Sequence, residues 1–151
     1  MFHRSLTSHV LDRLAIMASV GTLILGCAAL EPSSPLPQGA IQIEAPVSYG
    51  TWWLRTEACA ELTGRMDNVT WYVVPGVTTF QTESGEKVGF WTKSSEGTRI
   101  ILAGDYRDHE LVVRHEILHD LLGREGHPES YFRDRCQLTW DTFDDPVVAL
   151  H

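Results

Sequence analysis

The chain has 151 residues, 43% of them hydrophobic and 21% charged, with a formal charge of −8. That balance suits one soluble globular core. An acidic chain without a basic cluster is a poor binder of nucleic acid or of anionic membrane surfaces, so neither is expected as a partner.

The N-terminus has the layout of an export signal. "MFHRSLTSHVLDR" is mildly basic, and "LAIMASVGTLIL", Leu14 to Leu25, is an uncharged apolar run too short to span a bilayer comfortably. It ends in "LILGC", Leu23 to Cys27. This resembles a bacterial lipoprotein box, and the resemblance implies that residues 1–26 are removed and that Cys27 is lipidated to become the new N-terminus. A plain export signal with a chance cysteine is the alternative. Either way the mature chain is expected outside the cytoplasm, on the bacterial envelope, with the lipid anchor as its membrane contact. Losing Arg4, Arg13 and Asp12 leaves 10 basic and 19 acidic residues, a formal charge of −9. Residues 27–39 include "EPSSPLPQG", whose prolines and lack of periodicity suit an extended tether. The folded domain is expected over 40–151, as a monomer.

Within that domain "AIQIEA" alternates as a short strand does, and "TWWLRTEACAELTG", Thr51 to Gly64, has helical spacing through Trp52, Thr56, Cys59 and Leu62, with Gly64 as its stop. Trp52 and Trp53 are expected in the core or at a cleft rim. Three β-rich runs follow, Val69 to Gly76, Lys87 to Thr92 and Thr98 to Gly104, with Gln81 to Lys87 read as an exposed turn. From Asp105 or Asp108, either able to cap, a helix runs to Gly123; Leu111, His115, Leu118 and Leu122 line one face, while Val113, Ile117 and Leu121 fill another. It is apolar around most of its circumference and must be largely buried. The order of elements is α+β: a mixed sheet on a backing helix and a buried second helix. Cys59 and Cys136, an even pair in an oxidising compartment, are expected to form a disulfide, with two buried thiols as the alternative.

The buried helix carries the chemistry. His115 and His119 are one helical turn apart, so both imidazoles can share one metal ion, and Glu116 can reach a water on its open side. In this HExxH pattern zinc lowers the pKa of bound water and the glutamate acts as general base. Hydrogen-bonded histidines without a metal are the simpler alternative, but a buried polar pair beside a buried carboxylate is costly unless all three groups are satisfied.

The pattern and the element order resemble the zincin metallopeptidases, and "RHEILHDLLGREGHP" is similar to small bacterial lipoproteins assigned to that class. The resemblance implies a peptide or protein substrate, one Zn2+ and a third protein ligand. The metzincin branch has HExxHxxGxxH, whereas this chain has HExxHxxxGxxxH, with no methionine after Met66 for a Met-turn, so it is not placed in that branch. His127 is the expected third ligand, because Gly123, Gly126 and Pro128 let the chain fold back; Glu125, Glu129 and Asp134, Asp141, Asp144 and Asp145 are the other choices. Tyr131 is considered as an oxyanion donor, Asp120 as solvent-facing or supporting a ligand, and His109 as exposed. The same likeness makes "TRIILAG" the edge strand that would bind substrate backbone, with Leu102 and Ala103 at the cleft.

Two rival functions remain open at this level. One is a non-catalytic envelope lipoprotein that stores or is stabilised by a metal; the other is a metal-free interaction module presenting the acidic tail "DTFDDP" to a partner.

Overall fold

The computed structural model describes residues 34–143. The leader, Cys27 and the aspartates at 144 and 145 of the acidic tail lie outside the described residues. Of the expected tether, Ser34 to Gly39 is present without strand or helix, and the Ser34 carbonyl accepts a hydrogen bond from Arg99 at 3.4 Å.

Helix α1 (Val47–Ala60) opens directly after Pro46, four residues earlier than the spacing of apolar side chains implied. Its inward positions are Tyr49, Trp53, Thr56 and Ala60, steps of four and three, so Trp53 is core while Trp52 packs partly buried beside it. The helix ends at Ala60 because Glu61 takes a left-handed conformation, φ 56°, with its N–H on the Glu57 carbonyl. Gly64 is therefore not the stop. A Cβ there would sit 2.5 Å from Leu121 and 3.0 Å from Trp53, so its small size lets the chain cross tightly over both helices.

Six strands follow the pattern of β-rich runs, with one addition. β1 (Ile41–Ile43), β2 (Val69–Val74), β5 (Gly89–Ser94) and β6 (Gly97–Ala103) form one mixed sheet in the order β1-β2-β6-β5; β2 and β6 are parallel and the other pairs antiparallel. The segment expected as an exposed turn is a hairpin, β3 (Phe80–Thr82) on β4 (Gly85–Lys87), whose tip is the turn. Local threonine chemistry closes that tip: the Thr82 hydroxyl donates to the Gly85 carbonyl and accepts from the Ser84 N–H.

β6 lies between β2 and β5, and Leu102 and Ala103 are fully buried. The expectation that this strand is the exposed edge is thus overturned. A strand that continues as "RIILA" reads as buried on both faces, which marks an interior position in the sheet. The edge strands are β1 and β5, and it is β5 that borders the second helix.

Helix α2 (Glu110–Leu122) lies with α1 on one face of the sheet, over a core of Tyr49, Trp53, Trp71, Ile100, Leu102 and Ile117. His109, not Asp105 or Asp108, occupies its N-cap, and no side chain caps it. Its placement is fixed from α1 instead: Tyr49 Oη donates to the Arg107 carbonyl at 2.6 Å, and Arg114 donates to Thr56 Oγ1 at 3.2 Å and to Glu110 at 3.0 Å. The fold is α+β, as the element order implied.

Beyond α2 the chain makes a short π-helical turn (Ser130–Arg135) and is joined back to α1 by a disulfide, Cys59 to Cys136, with Cα atoms 5.1 Å apart. Phe132, Cys136 and Leu138 bury themselves against Ala60, Leu111 and Leu118, forming a second cluster on the far side of α2. The bond spans 77 residues of sequence, for which the loss of chain entropy in the unfolded state corresponds to about 4 to 5 kcal/mol as an upper figure. Reduction, or the Cys59→Ala/Cys136→Ala pair, should lower the midpoint of thermal unfolding by about 10 °C or more. An unchanged midpoint in reductant, by calorimetry, would remove the bond from the list of what holds this segment.

Candidate metal centre

Two elements bring three imidazoles to one point. α2 supplies His115 and His119 one turn apart, and the loop that begins at Gly123 returns His127 over them. Gly123 makes that return possible by taking φ 62° at the helix C-terminus, where its N–H bonds to the Asp120 and His119 carbonyls. His127 Nε2 lies 3.0 Å from His115 Nε2 and 3.2 Å from His119 Nε2.

The protons on these rings are dictated by backbone carbonyls. His115 Nδ1 is 2.9 Å from the Leu138 carbonyl, and His119 Nδ1 is 2.9 Å from the Arg124 carbonyl. A carbonyl only accepts, so both Nδ1 atoms carry hydrogen, and in the neutral rings both Nε2 atoms are bare lone pairs. Both lone pairs face His127 Nε2, which has at most one proton to offer. Such a set is mutually repulsive unless a cation sits among the nitrogens. The separations fall just inside the roughly 3.4 Å expected between imidazole nitrogens on a tetrahedral ion at about 2.1 Å. By donor type, spacing and orientation, the three histidines can hold a metal ion, and among the described residues they are the one such group.

Burial keeps the ligands in their metal-binding form. Desolvation pushes both His115 and His119 down to about 4, against the pull of the carbonyls that accept their Nδ1 hydrogens. His127, on the exposed side, is lowered too, by partial burial and then by Lys87. All three rings are therefore neutral near pH 7.

Glu116 projects from the same helix into the sheet side of the site, with 6% of its surface exposed. Burial raises its carboxyl to about 8, opposed by the Trp91 backbone N–H beside it and by Lys87. A divalent cation on the neighbouring imidazoles would favour the carboxylate and oppose that rise. The space for this side chain exists because residue 89 is glycine. A Cβ at Gly89 would lie 2.6 Å from Glu116 Oε1 and 2.9 Å from Val112 Cγ1.

Several supports were not legible as motif residues. The Phe132 ring packs against all three imidazoles, with centroids 4.7 Å from His115, 4.8 Å from His119 and 4.8 Å from His127. Trp91 stacks over His119 at 6.1 Å and donates its indole N–H to Asp120 at 3.2 Å. Asp120 thus steadies the ring over a ligand instead of facing only solvent. An aromatic four residues before a cysteine was the one available hint of Phe132; a backbone acceptor such as Leu138 has no residue-type signal.

Other candidates fall away from the centre. Glu125 lines the cleft without joining the donor set, and neither Glu129 nor Asp134 belongs to that set. Asp141 pairs with Arg133. Tyr131 packs in the second cluster under the Arg135 guanidinium, outside the cleft lining, so it is not placed to donate to an oxyanion there. His109 is half-buried between Tyr106 and Trp140, where exposure was expected.

The cleft over the histidines has a cavity volume of about 580 Å³. α2 forms its floor, Lys87 to Trp91 one wall, and Leu138 to Trp140 the other. A scan against protein-family models, a search of curated proteins and a search of solved structures each return no match.

The metal-free chain should carry a characteristic pH profile. His115 and His119 titrate at about 4 when folded against 6.5 when free, so the stability they contribute is present above pH 6.5 and is lost as pH falls toward 4. Glu116 has the opposite sign: raised from 4.5 to about 8, its contribution is full below pH 4.5 and is lost as pH rises through 8. Two histidines outweigh one glutamate on the acid side, so urea-denaturation stability in chelator should peak near pH 6.5. Glu116→Gln should flatten the alkaline limb and steepen the acid limb above pH 4.5, where the glutamate had opposed the histidines; an unchanged alkaline limb would contradict the placement of this carboxyl.

Proposed function

We propose that this chain is a zinc-dependent metallopeptidase domain of the bacterial envelope, tethered by lipid on Cys27. The observation that carries the reading is the convergence of three neutral imidazoles beside a buried carboxylate, in an open cleft bordered by a free strand edge. The membrane anchor rests on the leader sequence alone.

His115, His119 and His127 would hold the ion. Zinc, the metal that three imidazoles most often serve, supplies Lewis acidity and a water acidic enough to be deprotonated near neutral pH. The carboxylate of Glu116 takes a proton from the attacking water and later passes it to the leaving amine nitrogen. Burial raises this carboxyl and a bound cation would lower it, and between these opposed influences the group would serve both as base and as acid.

β5 is the natural support for an extended peptide. Ala103 N donates to the Val88 carbonyl at 2.8 Å, so residues 88, 90, 92 and 94 direct their backbone groups to β6. By the same alternation Gly89 and Trp91 direct theirs to the cleft. The Trp91 N–H is taken up beside Glu116. The Gly89 backbone is left to meet a substrate strand next to the reacting carbonyl, by the edge addition that peptide-binding sheets use.

One zinc per chain is expected in the purified protein, lost or sharply weakened in His127→Ala. Glu116→Gln should keep the zinc while peptide hydrolysis falls by about 10²- to 10⁴-fold, measured on a fluorogenic peptide library. Metal retained in both variants with no hydrolysis by the wild type would leave a non-catalytic metal protein, and a wild type that takes up no metal in excess zinc would leave neither.

Gly89→Ala makes a separate prediction. Its Cβ displaces Glu116 without touching a ligand, so zinc stoichiometry should hold while turnover drops by about 10²-fold or more. Normal turnover in this variant would show that Glu116 has no fixed position to lose.

A further inference from the structure

Lys87, the last residue of β4, is the one lysine or arginine among the described residues that line the cleft. It is half-buried although its hairpin neighbours Glu83, Ser84, Gly85 and Glu86 are exposed. The described ion pairs engage Arg55, Arg65, Arg99, Arg114, Arg133 and Arg135, and none engages Lys87. It lines the same cleft as Glu116, His115, His119 and His127, so its side chain shares that space with the base and the three imidazoles. The other charged groups facing that space are Glu86, Glu116 and Glu125. The Thr79 hydroxyl donates to Glu86, which holds that carboxylate to its own hairpin.

A lysine whose stem is half-buried and which none of the described ion pairs engages keeps its ammonium free to meet an anion in the cleft. The acidic groups around it repel carboxylates everywhere else on the rim, so a carboxylate is accepted at one place and in one orientation. We propose that Lys87 determines substrate specificity by pairing with a carboxylate beside the scissile bond, carried by an acidic side chain or by a free C-terminus. This rests on the metallopeptidase reading of the same cleft. Lys87 is a specificity residue in this account, and the proton transfers remain with Glu116.

Paired small probes test it without relying on turnover. The full chain, purified in detergent and loaded with zinc, would be titrated calorimetrically with the monohydroxamates of malonic, succinic and glutaric acid and with their neutral amide twins. At least one carboxylate probe should bind about tenfold more tightly than its twin, the preference vanishing in Lys87→Met and surviving in Lys87→Arg, with zinc stoichiometry unchanged in both. Hydroxamates that bind the wild type with no preference, or a preference undiminished in Lys87→Met and in Lys87→Gln, would overturn the assignment while the metal site stood. A chain that takes up no zinc fails one stage earlier and overturns the reading of the site together with this one. Where the preference is present, kcat/KM on peptides with Glu against Gln, and with a free against an amidated C-terminus, tells the two carboxylate sources apart.

Discussion

The two hydrogen bonds from imidazole Nδ1 to backbone carbonyls govern the whole arrangement. Leu138 and Arg124 each hold one proton on the outer side of a ring, and this turns the bare Nε2 atoms of His115 and His119 inward. Neither carbonyl belongs to α2. One lies just past the disulfide and the other in the loop after Gly123, so the fold must bring both back to the helix before the histidines have a defined tautomer. The Cys59 to Cys136 bond, the Leu138 N–H on the Phe132 carbonyl at 2.6 Å and the burial of Phe132 serve that return. The same segment thus supplies an acceptor for one ligand and an apolar backing for all three.

Placing this chemistry on α2 conflicts with what stabilises the helix. Leu111, Val113, Ile117 and Leu118 make it a core helix, and Glu116 and His119 are buried among them at 6% and 5% exposure. Each charged form is disfavoured there, which is why the two groups shift in opposite directions, the carboxyl upward and the imidazole downward. Local rules broken within an otherwise consistent core are the mark of a functional site. A cation in the centre would reconcile them, because neutral imidazoles could hold it and its charge would draw the glutamate back toward its charged form.

The parts of the site that were readable from sequence are those fixed by one helix and its terminus. The spacing of His115, Glu116 and His119 needs nothing beyond a regular helix, and Gly123 with Gly126 and Pro128 signals a turn able to deliver His127. The α+β order was likewise visible in the change from alternating to helical spacing. What escaped was set by contacts distant along the chain. Which strand forms the edge is a matter of topology: the unbroken apolar run Ile100 to Ala103 suits an interior strand, but the order β1-β2-β6-β5 is set by pairings distant along the chain. The hairpin around Glu83 is too short to show a period. Gly89 looks like any strand-opening glycine until Glu116 is placed opposite it.

The small size of the domain determines how the cleft is walled. With no second subdomain among the described residues to close over α2, both walls come from segments beside the helix, and they are secured in unlike ways. Leu138 to Trp140 follow a residue held to α1 by a covalent bond, while the Lys87 side continues from a hairpin of three backbone pairs. The first wall carries the Leu138 carbonyl that orients His115, and the second carries Lys87. The carbonyl that orients His115 and the one lysine of the cleft share a cavity of about 580 Å³, yet they rest on separately anchored segments.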